Sequence, residues 1–201
     1  MYHDQLKSPD GADLLAYLME ERRFSMATID RFLLGAVVNP AVLDEDARGM
    51  LAIPYLTPNG PVALRFRRPP HKDTGPKYWQ NPGTDLTIFN TPAFFDSEET
   101  IAITEGEMDC MTLIEAGIPA VGIPGASAWK SHYELLFEGY AEVLICADND
   151  DTGAGRKFAG KVAQKVPGPN VVLLPEGHDV NSYYAEFGRE ALREFLGAEA
   201  V

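Results

Sequence analysis

Cysteines, basic residues and long apolar runs are all scarce in this sequence. Only two cysteines occur among 201 residues, too few for a disulfide framework or a four-cysteine zinc site. No apolar stretch approaches the roughly 20 residues that a helix needs to cross a bilayer, and the first residues show no signal-peptide pattern. These absences predict a cytoplasmic protein with no zinc of its own and no membrane partner.

The shortage of positive charge bears on nucleic-acid binding. Lysine and arginine total 17 against 30 aspartates and glutamates, and the net charge is −13. Because phosphate backbones are usually gripped by basic surfaces, this balance argues against a broad nucleic-acid-binding face. Five of the 17 basic residues nevertheless cluster in what we call the basic strip: Arg65, Arg67, Arg68, Lys72 and Lys77. Such a run is most often a solvated strand and loop; the alternative is a local phosphate-binding surface on an acidic body.

Two acidic clusters each follow a short, apolar, β-branched run. Glu105 and Asp109 belong to the first cluster, and Asp148 and Asp150 belong to the second. Runs this short and apolar predict buried parallel strands. Ligands of open α/β sheets collect at the carboxyl ends of the strands, and carboxylate oxygens are suitable ligands for Mg²⁺. The pattern therefore predicts a metal site at the edge of a sheet.

The spacing of the acids supports that interpretation. Residues i and i+2 of an extended segment point to the same side, so Asp148 and Asp150 can aim at one point. A helix after Glu105 would return Asp109 to the same edge. A third apolar run is followed by Asp179. Each acid could instead be a helix N-cap or a turn residue, but three repetitions in one region favour a metal site.

The periodicity of apolar residues divides the chain into two main parts. Residues 1–97 are predicted to form a small α+β subdomain, with two helices and a hairpin at Asn59-Gly60. Residues 98–185 alternate strands and helices, which is typical of a mainly parallel sheet covered by helices. Residues 186–201 are predicted to be a C-terminal helical tail. The predicted fold class is α/β, Rossmann-like in its second part.

The acidic motifs resemble the toprim domain shared by topoisomerases and by bacterial and phage primases. The segments that carry this likeness are Glu105-Gly106-Glu107-Met108-Asp109, Asp148-Asn149-Asp150 and His178-Asp179-Val180-Asn181. Gly155-Arg156 resembles the Ala-Gly-Arg that follows the paired aspartates of DnaG-type primases. Pro124-Gly125-Ala126-Ser127 with Lys130 resembles their Gly-Thr segment. Asn181 stands where the bacterial primases have a second Asp, and in this respect the chain is closer to the phage primase-helicases.

Segments upstream resemble the primase catalytic core in particular. The helix pair from Leu18 to Gly35 resembles the primase pair that ends in Arg-Phe-x-Leu-Gly. A hairpin whose second strand ends at Arg67-Arg68 and the segment from Pro76 to Pro82 also have primase counterparts. Each piece is short, but their order and spacing make the set specific, and the likeness extends over about residues 15–190.

The resemblance implies a DNA primase catalytic core, a DNA-directed RNA polymerase that makes short RNA primers on single-stranded DNA from ribonucleoside triphosphates. It implies nucleotidyl transfer that depends on Mg²⁺ or Mn²⁺, with two ions bound. The implied catalytic residues are Glu105, Asp109, Asp148 and Asp150. The implied metal ligands are Glu105, Asp148, Asp150 and Asp179. The implied contacts to nucleotide or nucleic acid are Arg67, Arg68, Lys77, Gln80, Asn81 and Lys130.

Partners and alternatives complete the sequence-based expectations. Full-length relatives carry a zinc-binding module and a helical or helicase module that this sequence lacks, which implies a separate zinc-binding module or replicative helicase in a phage or bacterial replication complex. One open alternative is a toprim nuclease that cleaves nucleic acid with the same acids. The other is a non-catalytic replication subunit that binds nucleotide. His132 and His178 are isolated, and isolated histidines are more often structural than catalytic.

Overall fold

The computed structural model describes residues 1–72, 74–96, 99–125, 128–149 and 153–198. Contacts divide the chain into two compact units, Met1–Leu86 and Thr87–Val201. This division lies before the boundary predicted at residue 97, because the segment after Leu86 joins the second unit. Phe89 forms a bridge with Gly122 there, and Ile88 and Ala93 enter the core of the second unit.

Three short helices begin the first unit: α1 (Tyr2–Leu6), α2 (Ala12–Ala16) and α3 (Met26–Arg31). A π-helical turn, Tyr17–Glu21, continues α2. Ser25 begins α3 as its N-cap, since its hydroxyl oxygen accepts a hydrogen bond from the backbone N of Thr28 at 3.2 Å. The helix pair expected from the apolar periodicity is therefore present, although α3 is only six residues long.

Four antiparallel strands form the sheet of the first unit, in the order β1 (Gly35–Ala36), β2 (Leu51–Thr57), β3 (Gly60–Arg67) and β4 (Tyr78–Trp79). The predicted hairpin joins β2 to β3, and Gly60 has a φ of 110°, which only glycine adopts readily. Phe66 on β3 is fully buried, with its ring 5.3 Å from that of Trp79. Because side chains alternate along a strand, Arg65 and Arg67 point to the opposite face.

The second unit is a parallel sheet with flanking helices. Its strands, in chain order, are β5 (Thr100–Thr104), β6 (Ala120–Gly122), β7 (Glu142–Ala147) and β8 (Pro169–Leu173), and their order in the sheet is β6-β5-β7-β8. All three strand pairs are parallel. The helices are α4 (Glu107–Glu115), α5 (Ala154–Ala163) and α6 (Val180–Phe195). This architecture confirms the predicted α/β fold with an α+β part before it.

Burial explains the strand patterns of the second unit. The central strands β5 and β7 are buried along nearly their whole length, so their apolar runs are continuous. β8 lies at the sheet edge, and its Val171 and Leu173 are 43% and 39% exposed. A 3-10 helix, Ser131–Phe137, lies between β6 and β7.

One helix crosses a predicted boundary. α6 begins at Val180, ahead of the predicted start of a C-terminal tail at residue 186, and Gly188 interrupts it with a φ of 87°. Within the described ranges, no helix combines the length and apolar character needed to cross a membrane.

Candidate active site

Glu105 and Asp148 lie at the carboxyl ends of adjacent parallel strands. In the register of the sheet, Ile103 of β5 lies opposite Ile145 of β7. Glu105 comes two residues after Ile103, and Asp148 comes three residues after Ile145. Neighbouring strands are about 4.8 Å apart. The backbones that carry the two carboxylates therefore extend side by side from one edge of the sheet.

Asp109 reaches this edge from the first turn of α4. Its Oδ1 accepts a hydrogen bond from the backbone N of Asn181, close to Asp179. Cys146 is a buried residue of β7. Burial, and then the negative charges of Asp109 and Asp148, raise the pKa of the Cys146 thiol to about 12. The thiol itself stays protonated near neutral pH and is not available as a nucleophile.

The loop from β8 to α6 brings Asp179 to the same region. Leu174 donates from its backbone N to the carbonyl oxygen of Ala147 at 3.2 Å, and Gly177 donates to that of Asn149 at 3.2 Å. These bonds hold the loop against the residues on either side of Asp148. Asp179 follows this segment directly as the N-cap of α6.

Asp109 and Asp179 converge on the N-terminus of α6. Asp179 Oδ1 accepts from the backbone N of Ser182 at 2.6 Å, and Ser182 Oγ accepts from the backbone N of Asp179 at 3.0 Å, a reciprocal capping box. Asp109 Oδ1 accepts from the backbone N of Asn181 at 3.1 Å. Backbone donors and the positive end of the helix dipole thus stabilise two neighbouring carboxylates. The helix-cap alternative considered for Asp179 describes one of its roles.

Close packing of α5 fixes the position of Asp148. A Cβ atom added to Gly155 would lie 2.4 Å from the carbonyl oxygen of Asp148 and 2.8 Å from its backbone N. The first turn of α5 therefore rests on the Asp148 backbone, an approach that only glycine allows. Arg156 donates from Nη2 to Asn149 Oδ1 at 2.8 Å. Gly155 and Arg156, the pair noted in the sequence, therefore hold Asp148 and Asn149 in position after β7.

The donors in this region suit a hard divalent cation. The carboxylates of Glu105, Asp148 and Asp179 are oxygen donors of the kind that Mg²⁺ and Mn²⁺ accept. In the part of the chain that the structure describes, no three acidic, histidine or cysteine side chains already form a group that could hold an ion. Asp150, predicted as a ligand, lies outside the described residues. The donor chemistry of these residues therefore fits a hard divalent cation, whereas the described carboxylates are not gathered into an ion-binding group.

The basic strip lies in the first unit and includes an aromatic partner. Tyr78 of β4 pairs with Arg67 of β3. The Cζ atoms of Arg65 and Arg67 lie 4.0 and 5.3 Å from the centroid of its ring, and Arg67 Nη1 donates to the Tyr78 hydroxyl. Burial lowers the pKa of Arg67, but the hydroxyl groups of Tyr78 and Tyr17 outweigh that effect and raise it. Arg67 is therefore an anchored cation.

Two of the remaining cations of the strip bond to backbone carbonyl oxygens, and the third is exposed. Arg68 donates from Nη1 to the carbonyl oxygen of Gly75 at 2.6 Å, and Lys72 donates from Nζ to that of Arg48. Lys77 is exposed. Arg67 is half-buried, because its side chain packs on Tyr78, and phosphate binding by the strip stays a prediction.

The two amides predicted as nucleotide contacts bond within the first unit. Gln80 Nε2 donates to the carbonyl oxygen of Thr84 at 3.1 Å, and Asn81 Nδ2 donates to Asp44 Oδ1 at 2.7 Å. Asp44 is only 6% exposed and also accepts from the hydroxyl of Tyr2 at 2.6 Å. These contacts give both amides a structural role.

Sequence reasoning missed a polar link beside the acids. Asn181 Nδ2 donates to Thr112 Oγ1 at 2.8 Å, and both residues are buried. The available signal was the amide at a position where the bacterial primases have an Asp. Lys130, also predicted as a contact, is half-buried and precedes the 3-10 helix of the second unit.

Comparisons with known proteins agree with this architecture. A family model described as Toprim-like matches residues 102–184. The gene 57 protein of Mycobacterium phage D29 is 43% identical over 152 residues, which cover 73% of this chain and 97% of that protein. A DNA primase from Aquifex aeolicus is 29% identical over 161 residues, covering 74% of this chain and 32% of the primase. The chain belongs to the same family as the phage D29 gene 57 protein, and its residues 102–184 are Toprim-like.

Solved structures show the same fold. The DnaG catalytic core superposes with a TM-score of 0.77 at 24% identity, covering 98% of this chain and 76% of that one. The RNA polymerase domain of Mycobacterium tuberculosis primase DnaG gives a TM-score of 0.78 at 22% identity. The match covers 98% of this chain and 79% of that domain. The chain spans about a third of the length of the curated A. aeolicus primase.

Proposed function

We propose that this chain is a primase catalytic core that synthesises short RNA primers on single-stranded DNA by metal-dependent nucleotidyl transfer. The observation that supports the proposal is that Glu105 and Asp148 follow adjacent parallel strands, while Asp109 and Asp179 bond to the N-terminus of α6. When bound, Mg²⁺ or Mn²⁺, as two ions in this proposal, supplies Lewis-acid activation of the attacking hydroxyl and neutralises the leaving pyrophosphate.

The carboxylates divide the work of the site. Asp148, Asp150 and Asp179 hold the cations, and Glu105 is a further ligand or the general base. Asp109 completes the acidic group from α4. Like charges at this spacing repel one another, and the N-terminus of α6 offsets that repulsion through its backbone donors to Asp109 and Asp179.

The first unit supplies the contacts to phosphate in this proposal. Arg68 and Lys77 bind triphosphate or template phosphates, and Arg67, held on Tyr78, provides a cation of fixed position. Gln80, Asn81 and Lys130 are further candidate contacts. A solved DnaG primase catalytic domain is bound to single-stranded DNA, which supports a single-stranded template here.

A partner module is part of the proposal. The solved A. aeolicus primase contains zinc-binding and RNA polymerase domains, and this chain covers 58% of it. We propose that a zinc-binding module, a replicative helicase or both act together with this chain during priming on DNA.

A product assay tests the function directly. The chain is incubated with single-stranded DNA, labelled ribonucleotides and Mg²⁺ or Mn²⁺, with and without a zinc-binding module and helicase. Short RNA products that disappear in Asp148→Asn support the primase function. Cleaved template without RNA products would instead support the toprim nuclease. Nucleotide binding without either product would identify a non-catalytic subunit.

A further inference from the structure

Asn181 links the two helices that carry Asp109 and Asp179. It is the second residue of α6 and is 1% exposed. Its backbone N donates to Asp109 Oδ1 at 3.1 Å, and its side-chain Nδ2 donates to Thr112 Oγ1 at 2.8 Å. Asp109 and Thr112 are three residues apart and so share one face of α4. One buried residue of α6 therefore holds α4 at two points, and one of them is a candidate active-site carboxylate.

The hydroxyl of Thr112 determines which chemistry position 181 requires. Thr112 Oγ1 donates its hydrogen to the carbonyl oxygen of Met108 at 2.8 Å. Toward Asn181 the same oxygen can only accept, and the amide NH₂ group provides the matching donor. A carboxylate at position 181 would place an acceptor against an acceptor, unless Thr112 gave up its bond to Met108. Either outcome breaks one of the two hydrogen bonds that the buried Thr112 hydroxyl makes.

We propose that Asn181 is a positioning residue of the active site. Its amide locks the start of α6 to α4, and this contact sets the spacing between the carboxylates of Asp109 and Asp179. Position 181 contributes an amide and no charge, so of positions 179 and 181 only Asp179 carries a carboxylate. The inference deepens the proposed function and rests on it for the identity of the cation site.

The test uses two substitutions that act on opposite ends of the link. Asn181→Asp keeps the shape of the side chain and removes the Nδ2 donor. Thr112→Val keeps the shape of its side chain and removes the Oγ1 acceptor. Asn170→Ala is the matched control, since Asn170 is exposed and its Nδ2 donates to Glu142 Oε1 at 2.7 Å, on the edge strand β8. The measurements are the Mg²⁺-induced rise in melting temperature, without nucleotide, and the Mg²⁺ concentration for half-maximal primer synthesis.

Loss of a residue that orients metal-site ligands typically weakens metal affinity about 10-fold or more. We therefore expect both substitutions to raise the half-maximal Mg²⁺ concentration by that factor and to shrink the Mg²⁺-induced melting shift. The double variant should be no worse than Asn181→Asp alone, because the two changes break the same contact. Asn170→Ala should match the parent in both measurements.

Two results would overturn the proposal. One is a lower melting temperature in both variants with an unchanged Mg²⁺ response, which would make the link structural only. The other is independent, additive losses in the double variant. If Asn181→Asp fails to fold, Thr112→Val alone decides the question. The melting shift needs no catalysis, so a chain that makes no primers but loses its Mg²⁺ response in these variants refutes the primase function and retains the positioning role.

Discussion

The contact between α5 and Asp148 offers a sharp test of how the site is built. In Gly155→Ala the new Cβ would lie 2.4 Å from the carbonyl oxygen of Asp148, whereas ordinary contacts begin at 3.4 Å. The helix or the acidic turn must therefore move by about 1 Å to restore normal van der Waals separation. The nearest atoms all belong to the Asp148 backbone, so no flexible side chain can absorb the change.

The expected effects on stability and activity differ in size. Overpacking lowers the free energy of unfolding by about 1–3 kcal/mol. The better helix propensity of alanine raises it by about 1 kcal/mol. The net loss of up to about 2 kcal/mol should lower the melting temperature by at most about 8 °C in a chain of this size. A displacement of about 1 Å at a positioned group can reduce the rate about 100-fold. Primer synthesis should therefore fall far more than stability.

Gly160→Ala is the matched control in the same helix. Gly160 is exposed, and an added Cβ there has nothing within 4 Å. This variant should gain up to about 1 kcal/mol and keep the parent rate. Thermal denaturation and primer synthesis at saturating Mg²⁺ provide both comparisons. If Gly155→Ala matched Gly160→Ala in stability and rate, the contact between α5 and Asp148 would not position the site.

Three other predictions follow from the described contacts. Asp148→Ala should abolish the Mg²⁺-induced rise in melting temperature, because a ligand that binds only the folded state stabilises it; an unchanged rise would reject Asp148 as a ligand. Burial, and then the bond to Asp44, raise the pKa of Tyr2 above 10.0, so the stability that this bond provides should be complete below pH 10.0 and lost as the pH rises further. Tyr2→Phe should cost about 1.5–3 kcal/mol at neutral pH and remove that alkaline loss in denaturant titrations. Lys77→Ala should weaken single-stranded DNA binding, reduce its salt dependence and leave the melting temperature unchanged, whereas Arg67→Ala should also lower the melting temperature because Arg67 packs on Tyr78.

Local patterns in the sequence were enough to predict the strands and the position of the acids. The apolar run before Glu105 is a strand, Thr100–Thr104, and the run before Asp148 is a strand, Glu142–Ala147. A continuous apolar run is the direct consequence of burial on both faces of a sheet, so this signal lies within a few consecutive residues. The hairpin at Gly60 was predictable for a similar reason, since its turn requires a positive φ.

Only the tertiary structure determined which groups share a contact. Asn181 and Thr112 are 69 residues apart and meet because α6 packs on α4. Arg67 looked like one more exposed cation, and it becomes an anchored one because β4 places Tyr78 beside it. Pairings of this kind depend on the order of strands and the packing of helices, and residue spacing along the chain does not record them. Sequence alone therefore predicted where the carboxylates are, and the fold decided what holds them in place.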